Sequence, residues 1–237
     1  TAKQSGEKFL RYDEEMDTEV LRRMQLEDRL EQAWEDRQLE LHYQPFVSLQ
    51  TGAIEGAEAL IRWHDLVLGQ VASEKFIPIL ESSDRIVEVG HWVLKEVASE
   101  SLKWRRLGVP LRVSVNISPV QLKSPHFVED ILRVLGRGTD RAIDLNVEIT
   151  ENMLTGDISV TAGKLAILRE HGVGISLDDF GTGYSSLSRL ARLPIDTLKI
   201  DRSFVRDITR SDSARALVAA IIALARACNM KSLAEGV

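Results

Sequence analysis

The strongest constraint on the fold is a regular alternation of strand-like and helix-like segments along most of the chain. Short runs rich in β-branched and apolar residues, such as Val113 to Ile117 and Leu145 to Thr150, are followed by longer segments with helical periodicity, such as Ile158 to His171. Strands that alternate with helices are parallel and are joined by right-handed crossovers. The pattern therefore predicts either a doubly wound sheet or a (β/α)8 barrel.

Seven strands are predicted from Leu39 onward. They are Leu39 to Tyr43, Ile54 to Trp63, Val113 to Ile117, Leu145 to Thr150, Ile175 to Asp178, Thr197 to Asp201 and Ser232 to Ala234. The predicted helices are one that begins at Ile86 and is stopped by Gly108 and Pro110, and those at Val120 to Leu135, Ile158 to His171, Ser185 to Leu193 and Ala214 to Asn229. The segment from Leu39 to Val237 is shorter than the roughly 250 residues of a typical barrel. We therefore expect about one βα unit to be missing after Val237.

A highly charged segment, residues 13–38, precedes the first strand. Apolar residues such as Leu26, Leu30 and Ala33 recur in it three or four positions apart, which is typical of an amphipathic helix. We interpret this segment as a linker helix that leads into a main domain covering residues 39–237.

Charge and cysteine content limit the function classes. The 237 residues carry 30 Lys and Arg against 36 Asp and Glu, a net charge of −6, which argues against binding of polymeric nucleic acid. The single cysteine, Cys228, cannot form an internal disulfide, which favours a reducing, cytoplasmic location. No apolar run is long enough to cross a bilayer, so we expect no membrane contact from this segment.

Polar residues recur at or near the ends of successive predicted strands. They are Glu58, Asn116, Glu148 with Glu151 beyond it, Asp178 with Asp179, Lys199 and Glu235. A single strand-end carboxylate is usually a helix cap or a solvated loop residue. In a barrel, however, the C-terminal ends of the strands converge on one face, so this recurrence predicts a shared site.

The residue types in this predicted site indicate its chemistry. Clustered carboxylates repel one another and need cations to remain ionised, and oxygen donors without paired His or Cys select Mg²⁺ or Mn²⁺ over Zn²⁺. The adjacent Asp178 and Asp179 are suited to serve two ions, as in two-metal phosphoryl chemistry. Lys199 could hold an attacking water or neutralise charge in the transition state. These residues predict hydrolysis of a phosphodiester.

Several motifs carry a resemblance to a known family. They are Tyr43-Gln44-Pro45, Gly56 to Trp63 with its Glu58-Ala59-Leu60 tripeptide, Phe76-Ile77-Pro78, Ser114 to Ser118, Glu148 to Glu151, Asp178 to Leu187, Lys199 to Asp201 and Ala234 to Val237. On these motifs, residues 39–237 resemble the EAL family of cyclic di-GMP phosphodiesterases. The family normally continues past Val237, and residues 64–73 lack prolines that it usually has there.

The resemblance implies a TIM-like barrel, two Mg²⁺ or Mn²⁺ ions, and in-line attack of water on cyclic di-GMP to give linear pGpG. It implies the following roles: Glu58, Asn116, Glu148 and Asp178 hold one metal; Asp178, Asp179 and Glu235 hold the second; Lys199 is catalytic, with Glu235 as a base; Gln44 and Arg62 contact substrate; Glu151 orders the glycine loop after Phe180.

The N-terminal residues 1–12 are similar to the tail of a GGDEF diguanylate cyclase domain. The resemblance therefore implies a tandem protein with an upstream GGDEF or sensory domain in cis, and it suggests a homodimer. The main alternative is a catalytically inactive cyclic di-GMP receptor, although its expected loss of metal residues is not seen. A different metal-dependent barrel enzyme, such as an aldolase or an enolase-like lyase, fits the carboxylates but not the motifs.

Overall fold

The computed structural model describes residues 14–136, 143–154, 158–181, 190 and 192–237. Its helices are α1 (Glu14–Glu35), α2 (Ser73–Ser82), α3 (Arg85–Arg106), α4 (Pro119–Lys123), α5 (Phe127–Leu135), α6 (Ile158–Glu170), α7 (Arg202–Val205) and α8 (Asp212–Ala227), with a 3₁₀ turn at Glu151–Leu154. Its strands are β1 (Leu39–Val47), β2 (Ile54–Asp65), β3 (Gly69–Val71), β4 (Arg112–Asn116), β5 (Asp144–Thr150), β6 (Gly174–Phe180), β7 (Thr197–Ile200) and β8 (Lys231–Ala234). In these ranges no helix is long and apolar enough to cross a membrane.

The strand order decides between the two architectures that the sequence left open. Neighbouring strands follow the chain in the order β1-β2-β4-β5-β6-β7-β8, and β3 pairs with β2 as an antiparallel hairpin. From β2 to β8 every pair on this path is parallel. A doubly wound sheet would reverse its strand order at a switch point. The sequential order is that of a TIM-like barrel, so the barrel prediction is confirmed.

Alternation along the central strands gives the sheet one apolar face and one polar face. In β4, Val113 and Val115 are buried on one face, while Ser114 and Asn116 lie on the other. The same period of two continues in β5 and β6, because successive side chains of a strand point to opposite sides. The polar face carries the predicted site residues at the C-terminal ends of the strands.

The predicted secondary structure has one wrong helix and omits elements that the structure contains. The predicted helix from Val120 to Leu135 is two helices, α4 and α5, because Pro125 cannot donate a backbone hydrogen bond and disfavours helical geometry at Ser124. At the C-terminal end of α4, backbone carbonyl groups accept hydrogen bonds from the Lys164 ammonium. Its Nζ lies 2.7 Å from the carbonyl oxygen of Leu122 and 2.9 Å from that of Ser124. The predicted seven strands also omit β3, and the predictions omit α2.

Some of the predictions concern residues that the structure does not describe. Residues 1–12, the predicted tail of an upstream domain, lie outside the described residues, as does most of the predicted helix from Ser185 to Leu193. Residues 182–187 of the glycine loop also lie outside them. The helix α1 covers Glu14–Glu35 of the predicted linker segment.

The chain divides into two compact units. The first contains residues up to Glu40 together with Ile61–Ser83, and the second contains Leu41–Leu60 together with Asp84–Val237. In the first unit, the buried Trp63 ring packs edge-on against Phe76 with 5.7 Å between ring centroids. All of the strand-end carboxylates predicted to form the site belong to the second unit.

Asp65 organises the β2–β3 hairpin in the first unit, within the segment that lacks the expected prolines. Its carboxylate accepts two hydrogen bonds from the Arg29 guanidinium of α1, at 2.6 and 2.9 Å. It also accepts from the backbone amides of Val67 and Leu68 at 2.8 and 2.7 Å. The Arg29 hydrogen bonds are the main cause that lowers the pKa of Asp65 from 3.8 to about 2, against the opposing effect of burial.

Replacing Asp65 by asparagine is expected to lower the free energy of unfolding by about 2 kcal/mol at pH 7, because charge-assisted hydrogen bonds to Arg29 are lost. Since the folded-state pKa of Asp65 is depressed, its contribution is complete above about pH 4 and disappears as the pH falls towards 2. Urea unfolding of the wild type and the variant between pH 7 and pH 2 measures this.

The matched control is Glu27→Gln, which removes an exposed ion pair with Arg23 on the same helix. Exposed pairs of this kind contribute less than about 0.5 kcal/mol. A stability difference between wild type and Asp65→Asn that stays constant down to pH 2 would contradict the assigned role of the Asp65 charge.

Candidate active site

The Lys199 ammonium is the centre of the candidate site. It lies on β7, 1% exposed, and contacts four carboxylates, one on or directly after each of four other strands. Its Nζ is 3.2 Å from Glu58 Oε2, 3.0 Å from Asp178 Oδ2 and 2.7 Å from Glu235 Oε1, and it donates a short hydrogen bond to Glu148. The structure therefore brings together carboxylates that the sequence predicted from β2, β5 and β6 and from the end of β8.

Asn116 extends this cluster on one side. Its side-chain amide on β4 donates to Glu58 Oε1 at 2.6 Å, so the two residues present adjacent oxygen atoms at neighbouring strand ends. Neighbouring parallel strands place them there, because Glu58 pairs with Ser114 in register, two residues before Asn116.

On the other side of the cluster, the end of β6 turns sharply. Asp179 has φ of 55° and Gly181 has φ of 94°, and the backbone amide of Asp179 donates to Asp178 Oδ1 at 2.9 Å. The Gly181 amide donates to Glu151 Oε2 at 3.3 Å, at the start of the 3₁₀ turn that follows β5. Glu151 thus contacts the first residue of the glycine loop.

Burial and crowding change the acidity of these groups. Burial raises the pKa of Glu148 to about 7, an effect that Lys199 opposes and neighbouring carboxylates increase. Burial also raises the pKa values of Glu235 and Asp179. For Lys199 burial acts in the opposite direction, but the surrounding carboxylates raise its pKa above the ordinary value, so its ammonium stays charged.

The donor set fits hard divalent cations. Among the described residues no three His, Cys, Asp or Glu side chains have the arrangement of a preformed metal site, because the carboxylates converge on the Lys199 ammonium. One ammonium compensates only one of the four carboxylates that it contacts. The remaining oxygen-rich, negatively charged cluster has the ligand chemistry that Mg²⁺ and Mn²⁺ prefer.

Two predicted substrate-contacting residues are not part of this cluster. Gln44 is exposed on β1. Arg62 belongs to the first unit, where its guanidinium donates to the carbonyl of Ile61 at 3.0 Å. Their predicted contacts with a substrate remain predictions.

Sequence reasoning missed a second group of polar residues on the same face of the sheet. Ser114, Asn146 and Ser176 are each 3% exposed, and the Asn146 amide donates to both serine hydroxyls at 2.9 Å. The sequence contains a pattern that could have identified them. Each of the three polar residues lies two positions before a predicted site residue on its own strand, and therefore on the same face.

Comparisons with known proteins agree with this geometry. The model of the family described as EAL domain matches residues 27–237. The cyclic di-GMP phosphodiesterase PdeR of Escherichia coli (strain K12) is 39% identical over 238 residues, which cover 100% of this chain and 36% of the relative. The bifunctional diguanylate cyclase/cyclic di-GMP phosphodiesterase MucR of Pseudomonas aeruginosa is 39% identical over 227 residues, which cover 95% of this chain and 33% of the relative.

A solved structure is similar in fold as well as in sequence. The PaMucR phosphodiesterase in its c-di-GMP complex superposes with a TM-score of 0.83 at 40% identity, covering 90% of this chain and 87% of that chain. Parallel strands in sequential order with acidic residues at their C-terminal ends define an enzyme-like domain of the TIM-barrel class. The chain belongs to the EAL family. It spans about a third of the length of the curated relatives it matches.

Proposed function

We propose that this chain hydrolyses cyclic di-GMP to linear pGpG in a reaction that requires divalent cations. The observation that carries the proposal is the convergence of Glu58, Glu148, Asp178 and Glu235, from four other strand segments of the sheet, on Lys199. Membership of the EAL family and similarity to proteins named cyclic di-GMP phosphodiesterases support the substrate. The c-di-GMP complex of a 40% identical relative supports ligand binding.

The proposed roles are those that the resemblance to the EAL family implies for these positions. Glu58, Asn116, Glu148 and Asp178 would hold one Mg²⁺ or Mn²⁺, and Asp178, Asp179 and Glu235 would hold the second. Gln44 and Arg62 would contact the substrate, and Glu151 would order the backbone at Gly181. Bound cations would stabilise the attacking water and the phosphoryl oxygens.

The protein's own groups would orient the reaction. Lys199 would hold the attacking water in line with the phosphorus atom and balance negative charge as it develops. Glu235, whose pKa burial raises, would accept the proton of that water. A new bond forms between the water oxygen and phosphorus while the bond to the 3′ oxygen breaks. The 3′ oxygen then takes up the proton that Glu235 removed from the water, which leaves a 5′-phosphate and a 3′-hydroxyl, the two ends of pGpG.

The direct test is incubation of the purified chain with cyclic di-GMP and Mg²⁺, with pGpG followed by chromatography. We expect pGpG to accumulate with Mg²⁺ or Mn²⁺ and to stop when EDTA is added. A parallel binding titration by calorimetry separates the proposal from its alternative. Tight binding of cyclic di-GMP without product would identify a receptor instead, and absence of both would contradict the substrate.

We further propose that the chain is the cytoplasmic phosphodiesterase part of a longer signalling protein. A relative named as bifunctional, of which this chain covers a third, supports an upstream GGDEF or sensory domain in cis. In this proposal residues 13–38 link that domain to residues 39–237, and the protein acts as a homodimer. Sedimentation equilibrium of the protein at micromolar concentration tests the dimer, which a monomeric mass would contradict.

A further inference from the structure

A buried polar layer lies directly beneath the candidate metal ligands. In TIM barrels the interior positions are mostly filled by bulky branched side chains. Here three neighbouring strands instead carry Ser114, Asn146 and Ser176, which are joined by two hydrogen bonds of 2.9 Å from the Asn146 amide. All three side chains are almost completely buried, so no substrate or solvent contact explains their polarity.

On each of the three strands, the layer residue lies at the same distance along the strand from a proposed metal ligand. Asn146 pairs with Ser114 across β4 and β5, and Ser176 pairs with Glu148 across β5 and β6. Each layer residue lies two positions before a proposed metal ligand of its own strand, on the same face and about 7 Å below it. The ligands above Ser114, Asn146 and Ser176 are Asn116, Glu148 and Asp178.

The neighbouring glycine shows that the sheet is shaped around this layer. Gly174 pairs with Asn146 in register, and a Cβ atom at position 174 would lie 2.5 Å from Asn146 Oδ1. No side chain larger than hydrogen therefore fits there unless the asparagine amide moves. The amide nitrogen donates to two hydroxyl groups, and the amide oxygen occupies the space that a side chain at position 174 would need.

We propose that the Ser114–Asn146–Ser176 layer sets the spacing at which β4, β5 and β6 present Asn116, Glu148 and Asp178 to a divalent cation. Asn146 is thus a positioning residue: it touches neither substrate nor metal, and it acts through the strand ends. The inference rests on the proposed metal-dependent function. Hydrogen-bonded partners behind metal ligands commonly change metal affinity by about 10- to 100-fold when they are removed.

The test measures binding of Mn²⁺ alone, by calorimetry without substrate, at a temperature where circular dichroism shows each variant folded. Asn146→Leu has nearly the same size but cannot donate to the serines, and we expect its Mn²⁺ affinity to fall by about tenfold or more. Ser176→Ala removes one of the two hydrogen bonds and keeps the asparagine, so a smaller loss is expected. This milder variant preserves the test if Asn146→Leu does not fold.

Two controls separate positioning from stability. Val147→Ala lies on the same strand, is fully buried and faces the opposite side, so it should lose thermal stability and keep wild-type Mn²⁺ affinity. The triple variant Ser114→Ala, Asn146→Leu, Ser176→Ala replaces the whole layer by apolar groups, which should restore stability because no buried polar group is left unpaired. Its Mn²⁺ affinity should remain low.

The outcomes are distinct. Wild-type Mn²⁺ affinity in both Asn146→Leu and Ser176→Ala would overturn the inference. So would an equal loss of affinity in Val147→Ala, or recovery of affinity together with stability in the triple variant. If the wild-type chain itself binds no Mn²⁺, the proposed metal-dependent function fails, and this inference fails with it.

Discussion

Replacing Glu58 by alanine is expected to reduce the rate of pGpG formation by at least about a thousandfold. One carboxylate oxygen of Glu58 contacts Lys199 and the other accepts a hydrogen bond from the Asn116 amide. The substitution therefore removes one proposed metal ligand and also removes the hydrogen bond that holds a second one, Asn116. Three orders of magnitude correspond to about 4 kcal/mol of transition-state stabilisation, which is the scale expected of a lost metal contact. Initial rates at saturating Mg²⁺ measure the effect.

The matched control is Glu55→Ala, three residues earlier on the same strand and exposed to solvent. It removes the same charge from β2 without touching the cluster, so its rate should remain close to that of the wild type. Circular dichroism of Glu58→Ala should show a folded protein, because this change removes a charge from a crowded acidic site. Activity above a tenth of the wild-type rate in Glu58→Ala would rule out the proposed role of this residue.

Replacing Lys199 by methionine is expected to have two effects that respond differently to metal. Catalysis should fall by about 10²- to 10³-fold even at saturating Mg²⁺, because a preorganised positive charge is lost from the site of reaction. In EDTA, the free energy of unfolding should also fall by about 3 kcal/mol or more, since buried carboxylates lose their counter-ion.

Addition of Mg²⁺ should recover a larger share of stability in Lys199→Met than in the wild type, because cations then replace the missing ammonium. Lys199→Arg should not restore activity, since a planar guanidinium cannot take the place of a compact ammonium that is 1% exposed. Lys231→Met, at an exposed position on the neighbouring β8, is the control and should leave rate and stability unchanged. Unfolding of Lys199→Met that is insensitive to Mg²⁺ would contradict the assigned electrostatics.

The structure brings together strand residues that the sequence patterns had already grouped, for a physical reason. Side chains alternate along a strand and the C-terminal ends of parallel barrel strands share one face, so Glu58 and Glu148 could be assigned to that face once the strands were recognised. The six strand-end residues Glu58, Asn116, Glu148, Asp178, Lys199 and Glu235 could therefore be grouped before any distance was known.

Local patterns were less informative where tertiary contacts compete with them. The segment from Val120 to Leu135 has continuous helical periodicity, yet Pro125 interrupts it, and the broken end is stabilised by Lys164 from a distant helix. The hairpin of β2 and β3 was missed because its turn depends on Asp65, whose carboxylate is oriented by Arg29 of α1. Neither stabilising contact can be read from neighbouring residues.

The amino-acid pattern predicted parallel strands that alternate with helices, and the motifs predicted the family and the candidate site residues, since these depend on periodicity and motifs within single segments. The strand order of the folded sheet then decided for the TIM-like barrel over a doubly wound sheet. Only the folded structure shows that Lys199 contacts four carboxylates that lie on or directly after four other strands, that Glu148 has a raised pKa, and that Asn146 ties three strands together. The reason is that Coulomb energies and desolvation depend on distance and burial, and residues up to 141 positions apart acquire both only when the sheet assembles.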